Sequence, residues 1–278
     1  MEFLLRDDAP FSSEQWGIID ESVVKTARQI LIGRRFLHIY GPLGAGVQSI
    51  AVDEHEEITD GDVDFFGEED TTPIKTKGRR FVEIPMVYKD LSISWRDVEN
   101  SKQYGLPIDI SNVAGAAALC ARKEDDLIFN GSKALGCEGL LTASGAERLE
   151  KKNWQEGENP FLDVAKGIEI LVNKGFVGSF SLAVSPDLYM QMQRIQGNTG
   201  LLELDRVSKL LNGNLHQSPV LGKNKAVLVC AEAQNMDLVV GQDMITGYMG
   251  PEKLNHTLRV LETVLLRIKR KEAIVVFE

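Results

Sequence analysis

Eighteen residues set the tightest limit on how this chain can fold. Between Asp53 and Asp70 lie ten acids (Asp53, Glu54, Glu56, Glu57, Asp60, Asp62, Asp64, Glu68, Glu69 and Asp70) and no Lys or Arg. The 278-residue chain has 41 acids and 31 bases, so this one block carries the whole formal charge of −10 and the remainder is neutral. Carboxylates at that density repel one another and lose hydration if buried, so the block stays solvated unless a basic partner meets it. It cannot be core, and it separates a helical N-terminus from a longer mixed region. The neutral remainder lacks the surplus Lys and Arg that phosphate neutralisation requires, so no nucleic-acid partner is expected.

Upstream of the block, residues 12–33 read as an amphipathic helix. Ser12 and Gln15 fit a capping box, and Gly33 fits the left-handed position after the last turn. Trp16, Ile19, Val23, Ala27, Ile30 and Leu31 recur at spacings of three and four. A strand is expected over 35–40, stopped by Gly41-Pro42. Residues 47–52 and 78–83 read as two arms of a long hairpin with the acidic block near its tip, and strands are expected over 81–88 and 91–95. The longest helix expected is 109–130, where Ile110, Val113, Ala114, Ala117, Ala118, Ala121 and Leu127 share a face; its small residues suit a buried spine.

Beyond it the elements alternate. Helices are expected over 160–174, 186–195 and 201–211, and strands over 179–184, 226–230, 236–240, 257–271 and 273–277, with Trp154 in a polar loop. This order gives an α+β fold with interleaved domains. Hydrophobic content of 43% and charge of 26% are those of a globular chain large enough for one big domain or two modest ones. The start MEFLLRDDAP has no basic n-region with an apolar stretch, and the run 113–121 is short for a membrane span, so neither signal peptide nor membrane is expected. Cys120, Cys137 and Cys230 form no paired framework, which suits a reducing cytoplasm and argues against structural zinc.

No catalytic motif in the sequence is complete. Asp60, Asp62 and Asp64 fit the first ligands of a calcium loop, but Phe65 stands at the glycine position and Thr71 at the final glutamate. His55-Glu56-Glu57 begins a zincin signature that Thr59 ends, and His38, His55, His216 and His256 have no ligand spacing. The glycines Gly41, Gly44 and Gly46 miss the dinucleotide fingerprint, and Ser144 lacks a nucleophile elbow. Asp125 and Asp126 are neighbours on the spine helix and point about 100° apart, so they cannot share a proton; satisfied or exposed roles are expected. No catalytic residue and no metal ligand is assigned.

Short blocks in fixed order run along nearly the whole chain: MEFL…AP…QW…ID, then GRRFLHIYGPLG, Glu124-Asp125 with Ile128-Phe129 and Gly131, Gly139-Leu140-Leu141, Gly241-Gln242-Asp243 with Gly247-Tyr248, and Glu262-Thr263. The set resembles the encapsulins, the linocin-type shell proteins of bacterial and archaeal nanocompartments. The resemblance implies the HK97-like capsid fold: an N-terminal arm and helix (1–43), an extended loop (44–80), a peripheral domain (81–135 with the spine helix, then closing strands 233–278) and an axial domain (136–232). It implies an icosahedral homo-oligomer enclosing cargo enzymes, commonly ferritin-like iron-oxidising proteins or peroxidases, each held by a C-terminal targeting peptide. GPLG and LRIKR look more like shells accompanying iron-mineralising ferritin-like cargo, the iron belonging to the cargo.

On that resemblance, the peptide is expected to dock on Val24, Ala27, Ile30 and Leu31, backed by Leu37 and Ile39. The competing reading is that some of these pack on the subunit's own core. The loop Gln196, Gly197, Asn198, Thr199 and Gly200 is expected to line the fivefold opening with uncharged polar atoms. Trp95 corresponds to a Trp that contacts flavin in some members, set against an ordinary buried structural Trp. The acidic block is expected to be a solvated face or to meet Arg79, Arg80 or the 267–271 bases of adjacent copies. The chief alternative is a phage major capsid protein of the same fold; a monomeric hydrolase has no supporting motif.

Overall fold

Local signals place the first helix. A computed structural model describes residues 2–55, 61, 63–67, 73–197 and 200–278, with the backbone alone at 54 and 55. Helix α1 (Ser13–Ile30) opens on the capping box: Gln15 N–H donates to Ser12 Oγ at 3.2 Å, and Ser12 N–H donates to Gln15 Oε1 at 2.8 Å. It ends three residues before Gly33, which is not in the left-handed region and opens a 3₁₀ turn, Gly33–Arg35. Glycine is needed there for space, since a Cβ would lie 2.5 Å from Ile128 Cδ1 on the helix beneath. That turn uses the residues expected to begin a strand, so β1 is only Ile39–Tyr40.

Strands β2 (Ser49–His55) and β3 (Thr76–Glu83) form the expected antiparallel hairpin, a two-stranded sheet that joins neither of the others. Strand β4 (Met86–Ile93) is continuous where two strands are expected, because Ile84 and Pro85 fall between it and β3. Helix α2 (Trp95–Tyr104) lies where no helix is expected: Ser94 caps it and Gly105 ends it at φ 66°, both standard signals hidden by the alternation of 91–95. The spine helix α3 (Ser111–Asn130) packs against α1, β4 and the strand Asn255–Ile268, and Val113, Ala117 and Ala121 are fully buried.

Chain then passes into an insert through two glycines packed backbone to backbone. A Cβ on Gly139 would lie 2.3 Å from Gly131 N, and one on Gly131 would lie 2.4 Å from the Cys137 carbonyl oxygen. The insert holds β5 (Glu147–Leu149), α4 (Asn159–Asn173), β6 (Phe180–Val184), α5 (Pro186–Gln191), α6 (Glu203–Leu210), β7 (Leu215–Gln217) and β8 (Ala226–Cys230). Trp154 does sit in a loop, yet is buried against Phe277 with its indole N–H on the buried Asp163 carboxylate at 2.9 Å.

Strand β9 (Met236–Glu252) is far longer than the run 236–240 that announces it, and β10 (Asn255–Ile268) is about as long as expected; they join at Lys253-Leu254 with both φ positive. Both residues in the left-handed region is the geometry of a primed hairpin turn, taken here without the usual Asn-Gly. One sheet has the order β1-β9-β10-β4. The other is β5-β11-β8-β6-β7, and its β11 (Ile274–Phe277) is the chain's last strand, antiparallel to β8 and parallel to β5. The closing segment 233–278 is thus split between sheets, the hairpin in the first and β11 with the insert. One continuous apolar core links both.

Candidate functional site

Between α1 and β1 the chain runs over α3, and buried carboxylates hold it there. Ile32 N–H and Gly33 N–H donate to the Asp125 carboxylate at 3.0 and 2.9 Å. Burial pushes that carboxyl up to about 6, against the pull of the two backbone N–H groups. The next residue is a hub. Arg34 Nε and Nη2 donate to the two Glu124 oxygens at 2.7 and 2.8 Å, Nη2 also to Glu262 Oε2 at 2.9 Å, and Nη1 to Asp243 Oδ1 at 2.7 Å. Glu124 and Glu262 are both fully buried. Burial, then the adjacent Glu124, raises the Glu262 carboxyl well above its ordinary range.

Sequence alone assigns no role to Arg34, Glu124 or Glu262, although it carries a signal for the two acids. Glu124 stands four residues after Cys120 and seven after Ala117 on the buried stripe of α3. Glu262 alternates with Val260 and Val264 on the inward face of β10. An acid in an apolar register is the mark of a partnered buried charge.

The six residues expected to dock a peptide do not form one face. Ala27 and Leu31 are buried against Ala121, with Ile30 and Met244 alongside, and Leu37 lies in the main core. These three side chains pack within the subunit itself. Val24 (43% exposed) and Ile39 (40%) remain open, and Ile30 is half-buried. On the N-terminal half of α1, a groove of about 360 Å³ runs along Ile18 and Ile19 to Leu106, Pro107, Ile108 and Ile110.

Of the loop 196–200, Asn198 and Thr199 lie outside the described residues. Gln196 N–H donates to the Leu201 carbonyl at 2.9 Å, which closes the base of the loop, and Gly200 has φ 69°. Trp95 is not a buried structural Trp: it is 39% exposed at the start of α2, with the Arg96 guanidinium 5.6 Å over its ring. It offers an exposed stacking surface.

Most bases expected to meet the acidic block of another copy are engaged at home. Arg79 pairs with Asp53 across the hairpin at 2.6 Å, Arg267 with the buried Asp237 at 2.6 Å, and Lys271 with Glu138 at 2.6 Å. The remaining acids of the block lie outside the described residues, apart from Asp64, whose carboxylate accepts Phe66 N–H at 2.6 Å, and the Glu54 backbone. Among the described residues no group of three His, Cys, Asp or Glu could hold a metal. His216 stacks on Phe36 at 5.5 Å, and His256 Nδ1 meets Tyr248 Oη at 3.1 Å.

A spine helix across a long-stranded sheet, an α/β insert and an extended hairpin that pairs with neither sheet define a capsid-type subunit. The comparisons agree. Residues 1–265 match the family model described as "Encapsulating protein for peroxidase". The type 1 encapsulin shell protein EncA of Myxococcus xanthus is 41% identical over 277 residues, covering 100% of this chain and 96% of that protein. A diheme-cytochrome-encapsulin shell fusion protein of Kuenenia stuttgartiensis is 42% identical over 96% of this chain and 73% of its own. The virus-like particle from Pyrococcus furiosus superposes with a TM-score of 0.77 at 20% identity, over 96% of this chain and 99% of that one. The chain belongs to the encapsulin family, with the HK97-like fold, and the phage-coat alternative gives way to it.

Proposed function

We propose that copies of this chain close into a hollow icosahedral shell in the cytoplasm and package a cargo enzyme that carries a C-terminal targeting peptide. The chain's own residues do no chemistry in this reading. The observation that carries it is the match to a curated shell protein along the full length of this chain. The hairpin β2–β3 supports it physically: Ile50 and Val82 pack its base on the four-stranded sheet, while Phe81 is 72% exposed, apolar surface that another copy would cover. Three free cysteines are compatible with a reducing compartment.

The peptide contacts open residues rather than the whole helix stripe: Val24, Ile30 and Ile39, with Ala27, Leu31 and Leu37 as the packed floor. An extended peptide placing a few apolar anchors in such a groove is a common recognition mode. The cargo is ferritin-like or a peroxidase, the latter being the partner named in the family description. The polar loop 196–200 surrounds the fivefold opening, and a flavin contact at Trp95 rests on its exposed indole alone. No nucleic acid or membrane takes part. Coexpression with a candidate cargo tests the reading: intact cargo copurifies inside shells, and cargo shortened at its C-terminus stays outside equally intact shells. Equal loading of both removes the peptide from the account.

A further inference from the structure

Two fully buried carboxylates, Glu124 and Glu262, face a single guanidinium. Their hydrogen bonds are unequal. Glu124 receives Arg34 in a two-pronged pair, the geometry of an ionised acid. Glu262 receives one N–H on Oε2, from a nitrogen it shares with Glu124, while its buried Oε1 receives no hydrogen bond. A buried carboxylate oxygen without a donor is costly, and a second buried negative charge on one cation is costlier. Protonating Glu262 removes the second charge and gives it an O–H to donate to the adjacent Glu124 carboxylate, a side-chain hydrogen bond that favours the neutral acid.

We propose that Glu262 is carried as the neutral acid, and that Glu124, Arg34 and Glu262 form a proton-dependent clasp seating residues 31–35 on the spine helix. With the proton in place, two charges cancel and the segment is held. With it gone, the guanidinium must serve two buried anions and the segment lifts. The charged groups around the clasp come from every neighbouring element. Glu124 and Asp125 lie on α3 with the Cys120 thiol, and Arg35 is on the segment itself. Asp243 is on β9, while Lys89 and Asp90 on β4 act across Cys120. Asp243 is 60% exposed and Arg34 is the cation in contact with the pair, so none of these replaces the proton.

The test uses the assembled protein and Glu262→Gln, which keeps the shape and fixes the neutral state. Infrared difference spectra should show a protonated-carboxyl C=O band in the parent that is lost in the variant. Hydrogen exchange of Ile32 and Gly33, corrected for the intrinsic rate, is followed above pH 7, where Asp125 is ionised. Protection in the parent should fall about tenfold per pH unit beyond the clasp's titration, and stay level in Glu262→Gln. Glu124→Gln, which removes the ionised partner, should lose protection at every pH. Loss of the C=O band in Glu124→Gln but not in Glu262→Gln would overturn the assignment, as would the same pH dependence in Glu262→Gln and parent.

Discussion

Asp125 accepts the backbone N–H of Gly33 at 2.9 Å, so the spine helix holds the end of the N-terminal arm through a carboxylate that is only 2% exposed. Its folded value of about 6 lies above the ordinary 3.8, so ionising it costs more in the fold than in the unfolded chain. The stability it contributes is present in full below pH about 4 and is lost as pH rises to about 6. Asp125→Asn should remove that limb, roughly 3 kcal/mol between the two ends. Melting temperatures of parent and variant from pH 4 to 7, at matched concentration, check it. Parallel curves would mean Asp125 does not titrate there.

Arg34 is the cation in contact with two buried acids, and removing one partner of such a group costs about 3–5 kcal/mol. Arg34→Met should lower stability by that amount. Arg34→Lys should recover little, because an ammonium cannot repeat the two-pronged contact to Glu124 while also reaching Glu262 and Asp243. Denaturant midpoints of the three proteins decide it; a Lys variant as stable as the parent would show that charge alone suffices.

Exposure divides the expected docking residues into two experimental classes. Leu31 and Leu37 are 6% and 5% exposed, so Asp at either buries an unpaired charge and should prevent folding. Val24→Asp and Ile39→Asp put the charge into water and should leave shells intact but poor in cargo. The ratio of cargo to shell protein after purification measures this. Normal loading in both surface variants would move the peptide elsewhere on the inner wall.

Sequence reading succeeds here where the signal is local. The capping box at Ser12 and Gln15, the hairpin around the acidic block and the apolar stripe of α3 are all visible as spacing or charge. It stops where long-range packing decides. Gly33 reads as a helix stop until Ile128 beneath it is known, and β11 reads with the closing hairpin until β8 and β5 claim it. The stripe of α1 shows that Ala27 and Leu31 share a side, but α3 already occupies it. The Arg34 hub joins residues 90 and 228 positions apart, a separation no short motif spans.

Trp95 is open enough to stack a planar ring, with Arg96 covering part of one face. Titrating purified shells with a flavin should quench its fluorescence, and Trp95→Ala should abolish the effect. Equal quenching by the variant would place any flavin elsewhere.

The acidic block should act as a solvated, self-repelling face, since Arg79, Arg267 and Lys271 already have partners within the chain. Replacing Glu54, Glu56 and Glu57 by Gln should therefore raise assembly yield at low salt, where repulsion is least screened, and change little at high salt. Native gels across a salt series report the yield. A lower yield at low salt would restore an attractive role for these acids.

The most direct measurement is the mass of the purified protein in dilute native buffer, by light scattering with negative-stain images of the same sample. A shell subunit gives closed, hollow, uniform particles many times the 30.8 kDa of one chain. A stable species at that single-chain mass would contradict it.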